Sequence, residues 1–467
     1  MTPSGGGVHV VWFRRDLRVH DHAPLHQAAR RGPVLPLYIV EPAVIGAADF
    51  SPRHWTGLRD ALEDLRLALG RLGQPLVVRF GDAADVLERL GRAWPIAALW
   101  SHDETLTAAA AVRDGAVRAW ARAAGIPWHA LPQPGIVRPG AGDERRPDAW
   151  RLDLRQPLAP VPTALAPLPA DADGRPIEPG ALPSHAMLGL APDDRVEIAP
   201  AGEAAALAAL DDFLDHRGAR YHLDAASPVT AWSGSSRLSV HLAHGTLSLR
   251  RAHQAAHARL AAVRTGGRAA RGAGGGDWLH ALAVFGGRIE QRCHCIQAFE
   301  DLPAIETRNW EPAYDGLRED AFDAERFAAW CAGRTGYPLV DAAMRALAGA
   351  GWLNFRMRAM LVSFAAHDLW LHWREPALHL ARLFADYEPG IHYPQVQIQA
   401  GTAGRAGPRI YNPTLQARAQ DPDGLFIRRW VPELEGVPDS YLHAPWLMPD
   451  PVQRRAGCVV GRDYPAP

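Results

Sequence analysis

A short run of hydroxyl side chains around one arginine, Ser233–Ser239 (SGSSRLS), has the chemistry of a phosphate-binding segment. It comes just before a helix-like stretch, where backbone N–H groups, hydroxyls and a guanidinium together suit a phosphate or a pyrophosphate. A plain N-cap is the competing interpretation, because Ser is also a favoured residue at the start of a helix. The segment alone leaves both interpretations open.

Charged residues in apolar surroundings form a second group. Arg356 and Arg358 are two positions apart on an apolar helical stretch, so their side chains point to different faces. Asp386 and Glu388 lie in the turn-like segment DYEPG. Charged groups in such surroundings need partners. We therefore predict an Arg358–Asp386 pair, with a structural or a cofactor-holding role.

The run RCHC, Arg292–Cys295, contains metal-ligand residue types at a spacing that does not favour a metal site. Cys293 and Cys295 diverge on a helix, and no second Cys/His pair lies nearby at ligand spacing. We expect buried thiols and no metal. The four cysteines in 467 residues make no disulfide framework either, which indicates a reducing cytoplasm.

The composition excludes several classes of protein. Hydrophobic residues make up 48% and charged residues 22%, which argues against global disorder. The net charge is −1, so a generally basic nucleic-acid binder is not indicated, although a local patch stays possible. The chain has no Lys, and all 50 basic residues are Arg. We expect no membrane span and no secretory signal, because no apolar run is long enough and the N-terminus lacks a basic region.

Strand-like and helix-like stretches alternate through the first quarter of the chain. Alternation of this kind predicts βαβ units and a parallel, doubly wound α/β domain over residues 8–135. The strand-like runs are 8–13, 34–40, 76–80 and 96–100.

The pattern then changes twice. Residues 136–200 are rich in Pro, Ala and Asp and predict a long connector over the surface. Residues 201–467 predict an all-helical domain, with helical spacing in stretches that include 355–371. This half holds many of the sixteen tryptophans, which could be core anchors, stacking platforms for flat rings or an electron relay.

Several long motifs, taken together, resemble the photolyase/cryptochrome flavoprotein family. The resemblance runs in the family's order over nearly the whole chain. The matching segments are VVWFRRDLRVHDHAPL (Val10–Leu25), SSRLSVHLAHGTLS (Ser235–Ser248), TGYPLVDAAMRALAGAGWLNFRMR (Thr335–Arg358), PRIYNPTLQ (Pro408–Gln416) and FIRRWVPEL (Phe426–Leu434).

The resemblance implies FAD bound in a folded shape within the helical domain, and a second antenna chromophore of unknown identity. By position, the residues implied to hold the FAD phosphates are Tyr221, Ser235, Ser236, Arg237, Leu238 and Ser239. Arg358, Asp386 and Glu388 are implied to face the isoalloxazine side, and Ile391 or His392 stands where the family has an Asn at the flavin N5.

The family reaction implied is light-driven electron transfer from reduced FAD to a pyrimidine dimer flipped out of DNA. Arg292, Arg356 and Gln416 fall at positions that contact DNA or the lesion, and Trp373 with Tyr393 at electron-transfer positions. Repairing relatives have a Trp where this chain has Gln291 and an Asn where it has Phe355.

These departures leave two main interpretations and a minor third one. The chain is predicted to be a light-dependent DNA repair enzyme acting on pyrimidine dimers. The alternative is a cryptochrome-type blue-light photoreceptor without repair activity, and the third is a redox flavoprotein that has lost its light function. We expect a cytoplasmic monomer whose partner is damaged DNA and not a membrane.

Overall fold

Five parallel strands form the N-terminal sheet in the order β3-β2-β1-β4-β5. They are β1 (Val8–Phe13), β2 (Val34–Val40), β3 (Val77–Phe80), β4 (Ile96–His102) and β5 (Trp128–Leu131). The structure is a computed structural model, and it describes residues 7–105, 107–137, 149–171, 173–195, 199–266, 277–404, 407 and 409–467.

Helices cover both faces of this sheet, which explains why β1 and β2 are apolar runs and not alternating ones. Separate apolar cores lie on the two faces, one around Trp55 and the other around Trp12. The helices are Ala23–Ala29, Pro42–Ile45, Pro52–Arg71, Ala83–Ala93 and Ala108–Ala123. The predicted doubly wound α/β fold is therefore confirmed.

The sequence patterns did not identify β5 or the helix Ala108–Ala123. Strand β5 has four residues, is only partly buried, and lies at the sheet edge beside β4. A short edge strand has little apolar patterning to detect. The helix is rich in alanine, so its apolar face contrasts weakly with its exposed face.

The part of the connector around Leu165 and Pro183 lies along the N-terminal domain, whereas its first helix, Ala149–Leu154, packs in a core of the helical domain. Leu165 packs into the core around Trp55, and its backbone N–H donates to Leu72 O at 2.6 Å. The Trp55 indole donates to Pro183 O at 3.2 Å. The connector therefore covers apolar surface that the sheet domain alone would expose.

The described residues after the connector are mainly helical, as predicted. The longest helix, Trp278–Asp301, packs against Pro389–Ala400 and Leu249–Thr265. The other helices in the described residues are Ala149–Leu154, Glu203–Asp215, Tyr221–Asp224, Ala231–Gly234, Ser239–His244, Ala324–Cys331, Pro338–Ala350, Phe355–Ser363, Arg374–Leu383, Pro413–Gln420, Leu425–Trp430, Asp439–Leu442 and Asp450–Ala456. None of the described helices is both long and apolar enough to cross a bilayer.

The predicted continuous helix over 355–371 is wrong in its second half. The α-helix Phe355–Ser363 passes into a π-helical turn, Phe364–Asp368. Trp370 then adopts a φ of +57°, a left-handed conformation that an α-helix does not accommodate.

The two domains meet through backbone carbonyls. Arg53 donates to Leu383 O at 3.0 Å and to Ala348 O at 3.1 Å, and His54 Nε2 lies 2.9 Å from Phe384 O. Gly245, with a φ of +68°, ends the helix Ser239–His244 against the N-terminal domain. A Cβ at Gly245 would come within 2.1 Å of Arg15 O, so only glycine fits this contact.

Candidate functional site

A cavity of about 300 Å³, called here the main cavity, lies among the helices of the C-terminal half. It brings together residues that are far apart in the sequence. The predicted cofactor residues in its wall are Tyr221, Ser235, Ser236, Arg237, Leu238, Ser239, Arg358 and Asp386. Ile391 and His392 also line it.

The Ser235–Ser239 segment is held in an open shape by a residue that sequence reasoning missed. Arg217 donates to the carbonyls of Ser235 and Ser236, the latter at 2.8 Å. Arg237 has a left-handed φ of +57°, and its guanidinium lies 4.0 Å from the ring centre of Trp352 and 4.8 Å from that of Trp232. The backbone conformation and the ring contacts thus fix the position of the Arg237 guanidinium in the wall of the main cavity.

Two buried polar atoms of the wall indicate that it suits a polar ligand. Ser235 Oγ and Asn354 Oδ1 have no hydrogen-bond partner among the described residues. The Asn354 amide nitrogen is fixed by Ala226 O at 2.7 Å and Ala225 O at 3.2 Å. Buried polar atoms are almost always satisfied, so these two call for a partner from outside the chain. Serine hydroxyls beside one arginine suit a pyrophosphate, and Trp352 and Phe384 suit flat rings, so the wall fits FAD.

The predicted Arg358–Asp386 pair is confirmed and is bidentate, with N–O distances of 3.0 and 2.7 Å. Burial alone would raise the pKa of Asp386, but the charge of Arg358 and hydrogen bonds from Arg358 and Ser239 hold it below its usual value. The Arg358 guanidinium also lies 4.2 Å from the Phe384 ring centre. The pair therefore places a fixed, compensated charge in the wall.

Glu388 lies away from this wall. Its side chain accepts from Thr105 Oγ1 at 2.8 Å, and one oxygen is 3.9 Å from both Arg15 and Arg292. Glu388 and Arg292 both line a smaller cavity of about 60 Å³ between the domains, and Arg292 lines the main cavity as well. Arg292 donates to Leu242 O at 3.1 Å, so it faces inward.

Exposed lining residues mark the mouth of the main cavity. The Arg288 guanidinium lies 5.1 Å from the Phe355 ring centre and donates to Gln291 Oε1 at 2.8 Å. Arg356 lies outside the lining, with Nη1 3.5 Å from Gln416 Oε1. The structure therefore brings Arg356 and Gln416 together but separates them from the inward-facing Arg292.

Trp373 and Tyr393 are buried and adjacent, with ring centres 6.4 Å apart. Neither lines the main cavity. His392, which does, lies 5.4 Å from Tyr393 and 5.3 Å from Tyr387, measured between ring centres. An aromatic path thus leaves the main cavity at His392.

A second cavity of about 360 Å³ lies at the carboxyl ends of β1, β2 and β4. Ligands of doubly wound sheets bind at this edge, where the strand order reverses. Its wall combines rings such as Trp12 and His54 with charged groups such as Arg113 and Glu41. Burial and the nearby Glu104 raise the pKa of Glu41 to about 7, against the lowering effect of Arg113. This cavity reaches the same aromatic path, because Tyr387 and Tyr393 line it.

Among the described residues one group could offer three metal ligands, namely Asp16, His22 and His102. Asp16 Oδ2 lies 2.8 Å from His22 Nε2 and 2.8 Å from His102 Nδ1. A carboxylate that accepts from two imidazoles satisfies all three groups by hydrogen bonding. Cys293 and Cys295 are buried free thiols, as predicted, and burial raises the pKa of Cys293 to about 12.

Comparisons with known proteins agree on one family. Residues 9–150 match the family model described as DNA photolyase, and residues 285–467 match the FAD binding domain of DNA photolyase. The chain is 31% identical to a cryptochrome DASH of Gloeobacter violaceus over 98% of this chain and 92% of that one. It is 32% identical to a deoxyribodipyrimidine photo-lyase of Escherichia coli over 98% and 95% of the two chains.

Solved structures give the same result. A class III photolyase of Agrobacterium tumefaciens superposes with a TM-score of 0.81 at 27% identity, covering 100% of this chain and 96% of that one. A cryptochrome of Synechocystis superposes with a TM-score of 0.83 at 26% identity, over 98% and 96% of the chains.

Proposed function

The chain belongs to the family of DNA photolyases and cryptochromes, and we propose that it is a light-dependent DNA repair enzyme acting on pyrimidine dimers. The observation that supports the proposal most strongly is the main cavity. Its wall contains the Ser235–Ser239 segment, which suits a pyrophosphate, and the Arg358–Asp386 ion pair, and its mouth is exposed. Curated relatives named deoxyribodipyrimidine photo-lyase support the same reaction.

Each part of the main cavity has a role toward FAD. Ser235, Ser236, Ser239 and Arg237 would bind the pyrophosphate, and Asn354 Oδ1 would accept a hydrogen bond from the ligand. Arg358 and Asp386 would face the ring system. When bound and reduced, FAD supplies an electron on absorbing light. The apolar wall excludes water, which strengthens the electrostatic interactions inside.

The mouth is where we place the flipped dimer. Phe355 is 36% exposed and offers a flat ring, and Arg288 holds a cation above it. Stacking on an aromatic side chain contributes roughly 1–3 kcal/mol per base. Arg356 and Gln416, together on the outer surface, are assigned to the DNA strand beside the lesion. Arg292 is assigned to the inner end of the lesion site.

Trp373 and Tyr393 are the proposed electron carriers for reduction of the flavin. Their rings adjoin each other, and Tyr393 also adjoins His392, which lines the main cavity. The second cavity is the proposed site of an antenna chromophore, because aromatic and charged groups line it at the switch point of the sheet. We place the protein in the cytoplasm as a monomer, in keeping with its free cysteines.

A cryptochrome-type photoreceptor without repair activity is the second candidate. It is favoured by Gln291 and Phe355, which stand where repairing relatives have Trp and Asn, and by the similarity to a cryptochrome DASH.

A spectral titration separates the two candidates. Purified protein should carry flavin, and dimer-containing DNA should perturb the flavin spectrum while undamaged DNA of the same sequence does not. A flavin spectrum that neither DNA perturbs would favour the photoreceptor.

A further inference from the structure

The side chains between the two cavities include a carboxylate that the proposed repair chemistry does not use. Asp49 belongs to the N-terminal domain, and Tyr387 Oη donates to its Oδ2 at 2.5 Å. Tyr393 Oη lies 3.5 Å from the same oxygen and 3.3 Å from Tyr387 Oη. Two phenols therefore share one carboxylate across the domain boundary.

We infer that Tyr387 is the terminal electron donor for light-driven reduction of the flavin and that Asp49 takes its proton. The inference rests on the proposed function for the presence of a flavin in the main cavity. It adds a redox residue and a proton acceptor to the path through Tyr393 and His392.

The step balances in electrons and protons. One electron leaves Tyr387 for the light-excited oxidised flavin through the adjoining ring of His392, whose centre lies 5.3 Å from that of Tyr387. The Tyr387 O–H bond breaks, and its proton moves to Asp49 Oδ2 along the existing hydrogen bond. Tyr387 becomes a neutral radical and Asp49 a neutral carboxylic acid, so the proton transfer leaves no positive charge on the buried Tyr387 ring.

The neighbours of the other two rings make them poor end points. Trp373 Nε1 donates to Asn309 Oδ1 at 2.7 Å, and an amide oxygen is too weak a base to take the indole proton. An oxidised Trp373 would thus stay positive, with the Arg374 guanidinium 6.0 Å from its ring centre. The same guanidinium lies 5.3 Å from the Tyr393 ring centre and donates to Tyr393 Oη at 3.2 Å. Positive charge is therefore disfavoured on both rings.

Tyr387 is also protonated before the step, as the mechanism requires. Burial, together with Tyr393 and the charge of Asp49, raises the pKa of Tyr387 well above its usual value. Its proton therefore leaves only when the ring is oxidised. Asp49 is half-buried, so water reaches the carboxylate and can carry the proton away.

The test is illumination of the full flavin-loaded protein, followed by freezing and electron paramagnetic resonance, with light-minus-dark infrared spectra recorded in parallel. Wild type should give both a tyrosyl radical and a new carboxylic acid band. Tyr387→Phe should lose the radical. Asp49→Asn should lose the band and form the radical at least ~100-fold more slowly, the usual scale of a lost proton acceptor.

Tyr464→Phe is the matched control. Tyr464 is a buried phenol that donates to Asp341 at the same distance of 2.5 Å, but neither residue lines the main or the second cavity. Its removal should leave the radical signal intact. Equal flavin content of all variants shows that the loss in Tyr387→Phe is not a folding defect.

A persistent tyrosyl radical in Tyr387→Phe, or a wild-type rate in Asp49→Asn, overturns the inference. Chemical reduction of the flavin bypasses Tyr387 and separates this outcome from failure of the proposed function. Tyr387→Phe should then still repair dimers if the inference holds. Wild type that repairs nothing after chemical reduction refutes the repair function and not the role of Tyr387.

Discussion

Arg237 shows how one side chain can be fixed before its ligand arrives. Its backbone has a left-handed conformation, and its guanidinium lies against the rings of Trp232 and Trp352. Because of these contacts, the side chain has little rotamer freedom in the folded state. A cation whose position is fixed in advance binds phosphate with a smaller loss of entropy. The residue therefore serves as the anchor of the Ser235–Ser239 segment.

Arg237→Ala should weaken FAD binding by roughly 1.5–3 kcal/mol, the contribution of a hydrogen bond to a charged group. Arg237→Lys is the control, because it keeps the positive charge but lacks the planar guanidinium group. The flavin-to-protein ratio after gel filtration measures the effect. Full flavin occupancy in Arg237→Ala would show that the pyrophosphate is bound elsewhere.

A second prediction concerns Gln291 at the mouth of the main cavity. Gln291→Trp should tighten binding of dimer-containing DNA, by up to roughly 1–3 kcal/mol from stacking, without changing binding of undamaged DNA. Both DNAs should bind more weakly as salt rises, because arginines release counterions from phosphates. Titrations of each DNA at two salt concentrations measure both effects. Equal tightening toward both DNAs would remove Gln291 from the lesion site.

At the level of secondary-structure elements, the helix Ser239–His244 joins the Ser235–Ser239 segment to the N-terminal domain. Its C-terminal Gly245 accepts from Arg18 through its carbonyl at 2.9 Å and touches the Arg15 backbone. The Ser235–Ser239 segment is therefore positioned from both sides, by Arg217 before the helix and by the sheet domain after it.

Gly245→Ala should destabilise the protein by roughly 1–3 kcal/mol, the cost of a left-handed conformation, with a further cost from the clash at Arg15. Gly287→Ala is the matched control. Gly287 is exposed within the helix Trp278–Asp301, and a Cβ there meets nothing within 4 Å. That change should stabilise by roughly 0.5–1 kcal/mol. Urea denaturation compares the two, and similar shifts in both variants would contradict the account.

The sequence could reveal local motifs but not contacts between distant segments. The Ser233–Ser239 run and the Arg358–Asp386 pair were predictable because residue type and apolar context signal them directly. Arg217 and Asn354 gave no such signal, since each acts through a buried partner chosen by the fold. Asp49 lies 338 residues before Tyr387, and no pattern in either segment predicts that they meet. Glu388 shares the segment of Asp386, yet the chain turns it toward the other domain.

In the molecule as a whole, buried neutral histidines in both domains make the free energy of unfolding depend on pH. Burial is the main cause that lowers the pKa of His54 and His392 to about 4, and of His102 and His244 to about 3. Between these values and the ordinary 6.5, the unfolded chain binds protons that the folded chain does not.

The free energy of unfolding should therefore be highest above pH 6.5 and should fall as the pH drops toward 4, by up to ~1.4 kcal/mol per pH unit for each histidine. Urea midpoints at pH 7 and pH 5 measure the loss. His54→Gln should flatten the dependence, and His216→Gln, which changes an exposed imidazole, should not. A midpoint as high at pH 5 as at pH 7 would refute this role of the histidines.

Repair of a pyrimidine dimer is the most direct test of the proposed function of this protein. Protein whose flavin has been chemically reduced is mixed with an oligonucleotide containing one pyrimidine dimer, and the intact dimer is quantified with and without blue light. We predict that the dimer is lost under illumination, persists in the dark, and is lost more slowly with Phe355→Ala. A dimer that survives illumination, while the flavin stays bound and reduced, would contradict the repair function.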